Sequence, residues 1–290
     1  MTGKRKQMNY LGYSVLMSVY YKEKAEFLWE SMESIYNQTV PTDDFVLVCD
    51  GKLKKSLETV INKMQLKFGD VLHVVRLEEN SGLGNALNKG MNYCRHELVA
   101  RMDSDDISIP ERCAKQIQVF VDKPEVSIVS GTVIEFKGTI ENVDTMRKLP
   151  EKQKDIMKFV KKRNPFNHPC VMYKKSKVEA AGGYQDFYLL EDYYLWLRML
   201  SDGCIGYNLQ EPLLWMRADV GLYKRRGGWK YAKSQRTLYW YMKRQGLINL
   251  REYFISSLIR SIIAVVPVCV RKRVYQKFVR EGNDVYKYFL

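Results

Sequence analysis

Three carboxylates stand within four positions at Asp103-Ser104-Asp105-Asp106, directly after the strand-like run Val99-Ala100-Arg101-Met102. Like charges packed that closely repel, so the arrangement costs free energy in a folded chain unless something neutralises it. A hard divalent cation such as Mg2+ or Mn2+ does so, because it prefers carboxylate oxygens and keeps positions open for a diphosphate. An acidic turn or helix cap accounts for the same residues, since Asp105-Asp106-Ile107-Ser108-Ile109-Pro110 precedes a helical pattern. A second acidic pair, Glu191-Asp192, opens the apolar run 193–199. The helix macrodipole favours carboxylates there, so a cap explains the pair. A general base explains it equally, provided that folding brings it near the first cluster.

Two further segments carry signals. Asp50 follows the apolar run Val46-Leu47-Val48-Cys49 and precedes Gly51, which puts a carboxylate where a doubly wound sheet holds a nucleotide ribose or base. The stretch Glu79-Asn80-Ser81-Gly82-Leu83-Gly84-Asn85-Ala86-Leu87-Asn88-Lys89-Gly90 reads as a glycine-rich turn opening a helix, suited to phosphate or sugar. It is a poor dinucleotide fingerprint, because Leu87 stands where the third glycine belongs and the turn follows the wrong strand. No nucleophilic triad is apparent.

The elements that must position these groups alternate. Strand-like runs at 13–19, 45–49, 72–76, 98–102 and 127–131 are separated by helical patterns at 25–36, 57–66 and 110–121. That alternation predicts βαβ units and a largely parallel sheet, whose strand ends form the ligand crevice. Residues 138–163 read as a less regular connection. A short strand at 170–173, a Gly182-Gly183 turn and a helix at 192–200 follow, and helices are predicted at 229–245 and 251–280.

At 290 residues with 46% hydrophobic and 28% charged, the composition is that of a globular protein and excludes disordered and collagenous classes. Six cysteines without a CxxC pair, and three histidines, suggest neither a zinc site nor a disulfide framework. The basic start lacks a long apolar stretch, so no signal peptide is expected and a reducing cytoplasm is the default. The formal charge of +14 is unevenly placed: residues 217–290 hold 17 Lys+Arg against 4 Asp+Glu, a net of +13. We therefore divide the chain into a near-neutral unit at 1–216 and a basic, aromatic helical extension at 217–290.

Such an extension suits nucleic acid or an anionic membrane surface. Its run 254–270, interrupted by Arg260 and Pro267, falls short of the about 20 apolar residues that span a bilayer. It suits an interfacial helix against anionic lipid, or a helical cap on the preceding unit with its basic face in water.

In this order, Ser14-Val15-Leu16-Met17-Ser18-Val19-Tyr20, Gln38-Thr39, Asp50-Gly51, the Asn80 to Gly90 stretch, Asp103-Ser104-Asp105-Asp106 and Glu191-Asp192 resemble glycosyltransferase family 2 over about Tyr13 to Arg217. The resemblance implies a GT-A fold, α/β and Rossmann-like, with a mostly parallel sheet flanked by helices and a C-terminal helical extension. It also implies an inverting, metal-dependent enzyme that moves a hexose from a UDP-sugar to a hydroxyl of a lipid-linked saccharide in capsule or O-antigen synthesis. Asp103-Ser104-Asp105 would be the DxD motif, with Asp105 and Asp103 holding Mn2+ or Mg2+. Val19, Tyr20, Asp50, Asn80, Gly82, Asn85, Arg101, Asp103 and Ser104 would lie on the donor side. Asp192, ahead of Glu191, would be the base, and Asn167 and His168 would line the acceptor side.

The chain lacks the QxxRW signature of processive synthases. Asp219 stands where many members have the His of an Arg-x-His, and is a candidate substitute. The expected location is cytoplasmic, peripheral on the inner face of the cell membrane, with no nucleic-acid partner. A basic nucleic-acid-binding protein using the C-terminal tail is the alternative, and it leaves Asp50, Asp103, Asp105 and Asp192 without a role.

Overall fold

The structure is a computed structural model and describes residues 11–218 and 227–267. Asp219, and the part of the expected helix 251–280 beyond residue 267, lie outside the described residues. In chain order the elements are β1 (Tyr13–Val19), α1 (Ala25–Tyr36), β2 (Asp44–Cys49), α2 (Lys55–Phe68), β3 (Leu72–Arg76), α3 (Leu83–Met91), β4 (Leu98–Asp103), β5 (Ile107–Ser108) and α4 (Arg112–Asp122). They continue with β6 (Val126–Phe136), β7 (Val143–Arg147), α5 (Gln153–Phe159), β8 (Met172–Lys174), α6 (Lys175–Ala180), α7 (Glu191–Ser201), β9 (Ile205–Arg217), α8 (Trp229–Arg244) and α9 (Leu250–Val265).

One mixed sheet runs in the order β3-β2-β1-β4-β8-β6-β9-β5, with β7 paired to β6. The pairs β1–β2, β1–β4, β2–β3 and β6–β9 are parallel. Both faces of the sheet are covered. Along β1 the side chains of Val15, Met17 and Val19 join a core with α1, α2 and α4, while Leu16 points to a second core built from α3, α7 and α8. That period-two division is why β1 and β2 are buried on both sides and read as mainly apolar runs, with Ser14, Ser18 and Asp44 the polar members.

The strands that deliver the candidate site stand side by side. Ser18 of β1 is in register with Asp103 of β4, and the Asp50 N–H donates to the Val19 carbonyl at 2.8 Å. The carboxyl ends of β1, β2 and β4 therefore open on one edge.

Three regions differ from the sequence expectation. Gly131 does not end β6; a Cβ there would stand 2.4 Å from the Leu213 Cδ1, so the glycine admits the close approach of β9, and the strand runs on to Phe136. The connection 138–163 contains β7, an exposed polar strand, and the single-core-residue helix α5, which explains its weak periodicity. The expected strand at 170–173 becomes a 3-10 turn, His168–Cys170, followed by β8, inserted antiparallel between β4 and β6. The helices α8 and α9 pack on the body through Tyr231, Leu238, Tyr239, Met242 and Ala264, which share a core with Trp196 of α7.

Replacing Gly131 by Val should overpack the β6–β9 contact and lower the unfolding free energy by about 1–3 kcal/mol. Urea denaturation reads this as a lower midpoint at unchanged slope, and an unchanged midpoint would contradict the packing.

Candidate active site

Carboxylate oxygens of Asp103, Asp105 and Asp106 all lie within 4.8 Å of one another at the end of β4. Burial pushes Asp105 up to about 7, with the charges of Asp103 and Glu23 adding to the shift. Asp106 is pushed far above the carboxylate range by burial and by Asp105 and Asp103. Two guanidinium groups hold the cluster. Arg101, fully buried, donates to Asp103 Oδ1. Arg217 gives its backbone N–H to Asp106 Oδ1 at 2.8 Å and its Nε to the Asp105 carbonyl at 3.0 Å, while its guanidinium lies over the Phe27 ring at 3.8 Å. Ser31 donates to the Asp103 carbonyl at 2.7 Å, and Ser104, buried, donates to Glu23 Oε2 at 2.7 Å.

The cluster has the donor set of a hard-cation site: three carboxylates close together, two of them raised by burial and mutual repulsion, which a divalent ion would relieve. Asp103 and Asp105 would hold such an ion, while Asp106 is engaged by the Arg217 backbone.

Asp50 is buried and fully engaged. Its Oδ1 accepts from the Ser81 N–H at 2.7 Å and the Ser81 hydroxyl at 3.1 Å, and its Oδ2 accepts from Asn80 Nδ2 at 2.9 Å and the Gly82 N–H at 3.0 Å. This clamp fixes the glycine-rich turn against the end of β2. Gly51, at φ +83°, makes the approach possible, since a Cβ there would stand 2.7 Å from the Asn80 nitrogen. Gly82, at φ +85°, then starts α3. Asn85 donates to the Ser81 carbonyl at 2.9 Å, and Tyr20, exposed, stands edge-on to Tyr21 beyond Val19.

The pair Glu191-Asp192 opens α7 behind Leu189, a non-glycine residue at φ +59°. Such a conformation is strained for a branched side chain and turns the chain sharply into the helix. Asp192 Oδ2 accepts from Asn164 Nδ2 at 2.7 Å. Glu191 is half-buried, and burial raises it to about 7, with Asp192 adding to the shift and Arg101 opposing it. A cavity of about 170 Å³ lies between the α3 start and the preceding loop, lined by residues that include Gly82, Asn85, Asp186, Tyr188 and Glu191. Arg101 thus lies near both acidic groups, since its charge acts on Asp105 and on Glu191.

His168 pairs with the Tyr184 hydroxyl at 2.9 Å, and desolvation and Arg101 hold it well below its ordinary value, so it is neutral. Asn167 is buried and donates to the Gly131 carbonyl at 2.8 Å, which makes it part of the β6 packing. Four contributors to the site were not read from the sequence. Glu23 and Asn164 sit in loops without periodic signal, Tyr184 follows a glycine pair, and Arg217 lies 111 residues from Asp106. Only the short Arg217-Ala218-Asp219 resemblance marked that last position.

The fold has close counterparts among solved glycosyltransferases. Mannosyltransferase PcManGT of Pyrobaculum calidifontis, solved with GDP-Man and Mn2+, superposes with a TM-score of 0.66 at 15% identity, over 97% of this chain and 85% of that one. S. aureus TarS 1-349 with UDP-GlcNAc gives 0.65 at 16% identity, over 91% and 75%. The architecture is the GT-A fold. In sequence, residues 14–181 match the Glycosyl transferase family 2 profile. Amylovoran biosynthesis glycosyltransferase AmsE of Erwinia amylovora is 42% identical over 268 residues, covering 91% of this chain and 98% of that protein. The UDP-Gal:alpha-D-GlcNAc-diphosphoundecaprenol beta-1,3-galactosyltransferase of Escherichia coli is 38% identical over 268 residues, covering 92% and 96%. The chain belongs to glycosyltransferase family 2 and is a glycosyltransferase.

The raised Glu191 has a thermodynamic consequence. Its folded value of about 7 exceeds its ordinary 4.5, so the folded state favours the protonated form; the associated stability is full below 4.5 and is lost as pH rises through about 7. Melting temperature should fall across that window, and Glu191→Gln should flatten the slope. An equal slope in the variant would contradict the assignment.

Proposed function

We propose that this enzyme transfers a hexose from a UDP-sugar to a hydroxyl of a lipid-linked saccharide, with inversion at the anomeric carbon, in bacterial surface polysaccharide biosynthesis. The observation that carries the reading is that the three-carboxylate cluster ends β4 beside β1, and that the glycine-rich turn clamped by Asp50 at the end of β2 lines one cavity with Glu191. The E. coli relative supports the donor and acceptor classes, since its name specifies UDP-Gal and a diphosphoundecaprenol-linked GlcNAc.

In this reading Asp103 and Asp105 hold a divalent cation, Mn2+ or Mg2+, and the Mn2+ complex of PcManGT supports that choice. When bound, the ion offsets charge on the departing nucleotide diphosphate. The turn clamped by Asp50 sets the α3 N-terminus beside the nucleotide, where Val19, Tyr20, Asn80, Gly82 and Asn85 complete the donor side. Asp192, oriented by Asn164, takes the proton from the acceptor hydroxyl. The hydroxyl oxygen forms its bond to the anomeric carbon as the bond to the nucleotide breaks on the opposite face. One displacement inverts the configuration and needs no enzyme nucleophile. Glu191 sits beside the base, and its own ionisation at about 7 adds a negative charge there.

The acceptor's lipid and the excess charge of 217–290 support a place for the enzyme on the cytoplasmic face of the membrane, against anionic lipid.

Asp192→Asn should lower transfer by about 10²–10⁴-fold while UDP affinity stays within a factor of two or so. Turnover is followed with UDP-galactose and a lipid-linked GlcNAc acceptor, and affinity by calorimetry. Wild-type turnover in that variant would remove Asp192 from the mechanism. In the wild type, kcat/KM should rise through about pH 7, and Glu191→Gln should move that limb to lower pH.

A further inference from the structure

The solvent side of α9 is apolar, where the outward face of a soluble helix is ordinarily polar. Leu250, Phe254, Leu258, Ile262 and Val265 recur at helical spacing and are all exposed, Phe254 and Leu258 at 62% each. The opposite face buries Ser256, Ser257 and Ala264. Arg260, the charge that interrupts this run in the sequence, turns inward and donates to the Lys162 carbonyl at 2.5 Å, so it leaves the outer stripe unbroken. Beside the stripe, α8 exposes Trp229, Lys230, Lys233, Arg236 and Trp240. The Trp240 ring is 5.4 Å from Tyr253, which is 5.2 Å from Phe254, so the cationic face of α8 runs into the apolar stripe of α9.

An exposed apolar strip of this length marks a surface that something covers. Charge selects the occupant. The two helices carry seven basic residues and one acidic residue, Glu252, whose carboxylate is turned back onto the Asn249 N–H at 2.7 Å in a capping box. A second copy seated here would set like charge against like, and so would the chain's own residues 268–290, which are net basic in sequence. A layer of anionic headgroups above acyl chains matches both halves of the surface. At 16 residues, α9 is about 24 Å long, below the about 30 Å hydrocarbon core. Among the described residues no helix is long and apolar enough to cross a membrane. The helix would therefore lie in the plane of the interface.

We propose that the outward face of the α8–α9 hairpin is a bilayer-docking surface for anionic lipid, with the Leu250 to Val265 stripe entering the interface and the α8 cations on the headgroups. This deepens the membrane placement given under Proposed function and rests on it. The hairpin is also joined to the cavity lined by Glu191. Lys230 Nζ stands 4.1 Å from the ring centroid of Tyr188, which lines that cavity, and the Tyr241 ring is 5.0 Å from Tyr194, just after the acidic pair. Docking thus fixes the cavity relative to the bilayer in which a lipid-linked acceptor sits.

The test sediments the full chain with vesicles of phosphatidylcholine alone and of phosphatidylcholine mixed with phosphatidylglycerol, alongside sizing in solution and calorimetric UDP binding. The wild type should pellet with the anionic vesicles and be released by salt. Phe254→Ser/Leu258→Ser should weaken that binding at least about tenfold with melting temperature and UDP affinity unchanged. Lys233→Gln/Arg236→Gln should reduce the dependence on phosphatidylglycerol. Three outcomes overturn the docking surface: a wild type that stays in the supernatant, a serine variant that pellets like the wild type, or a wild-type dimer that the serine variant splits while vesicle binding persists. UDP binding retained in any of these leaves the transferase reading standing, whereas its absence in the wild type would strike that reading instead.

Discussion

Asp103, Asp105 and Asp106 repel one another at the carboxyl end of β4, and the fold holds them there with the Arg101 guanidinium on Asp103 and the Arg217 backbone N–H on Asp106. Arg101 comes from the same strand and is wholly buried, so its charge has little solvent to interact with and is committed to the acidic groups around it. Arg217 arrives at the far end of β9, and its stacking on Phe27 and Phe136 fixes where that strand must finish. Burial, with the charges of Asp103 and Glu23 adding to it, keeps Asp105 raised toward neutrality despite the nearby Arg101. A site left in that condition by the protein alone is prepared for a cation from outside.

The remainder of the crevice uses fixed backbone in place of charge. Asp50 saturates its carboxylate on the turn at Asn80 to Gly82, and the positive φ of Gly51 and Gly82 allows that turn to close on β2 and start α3. Across the cavity, Leu189 in the left-handed region turns the chain into α7, so that Glu191 lines the same space and Asp192 meets Asn164. The strand ends and loops involved are far apart in the chain and adjacent only because the sheet order places β1 between β2 and β4.

How far this was legible in the sequence depends on the kind of signal. β1, β3 and α1 have the bounds that the sequence patterning predicts: β1 is buried on both faces, α1 carries Leu28, Met32 and Ile35 at helical spacing, and β3 is a short Val-containing edge strand. The acidic cluster and the acidic pair were legible because like charges at a strand or helix end are unusual. β7 and α5 were not, since an exposed polar strand and a helix with one core residue leave no periodic trace. The partners Glu23, Asn164 and Tyr184 were hidden for a different reason: each acts through a tertiary contact and belongs to no local pattern. Asp50 is expected beside a nucleotide ribose or base, and the structure adds that its oxygens accept from the glycine-rich turn, a use that spacing along the chain does not encode.

The net charge of +14 likewise resolves into parts. Within the sheet, the Arg101 cation serves the acidic cluster and the Arg217 cation pairs with Glu30, while those of α8 face outward beside an apolar stripe. The most direct test of the central claim, that the cluster after β4 is completed by a divalent cation, is calorimetric titration of UDP into the wild type and Asp105→Ala, with Mn2+ and with EDTA. UDP should bind the wild type at least about tenfold more tightly with Mn2+, and the variant should lose that gain. Equal UDP affinity in Mn2+ and EDTA would contradict it.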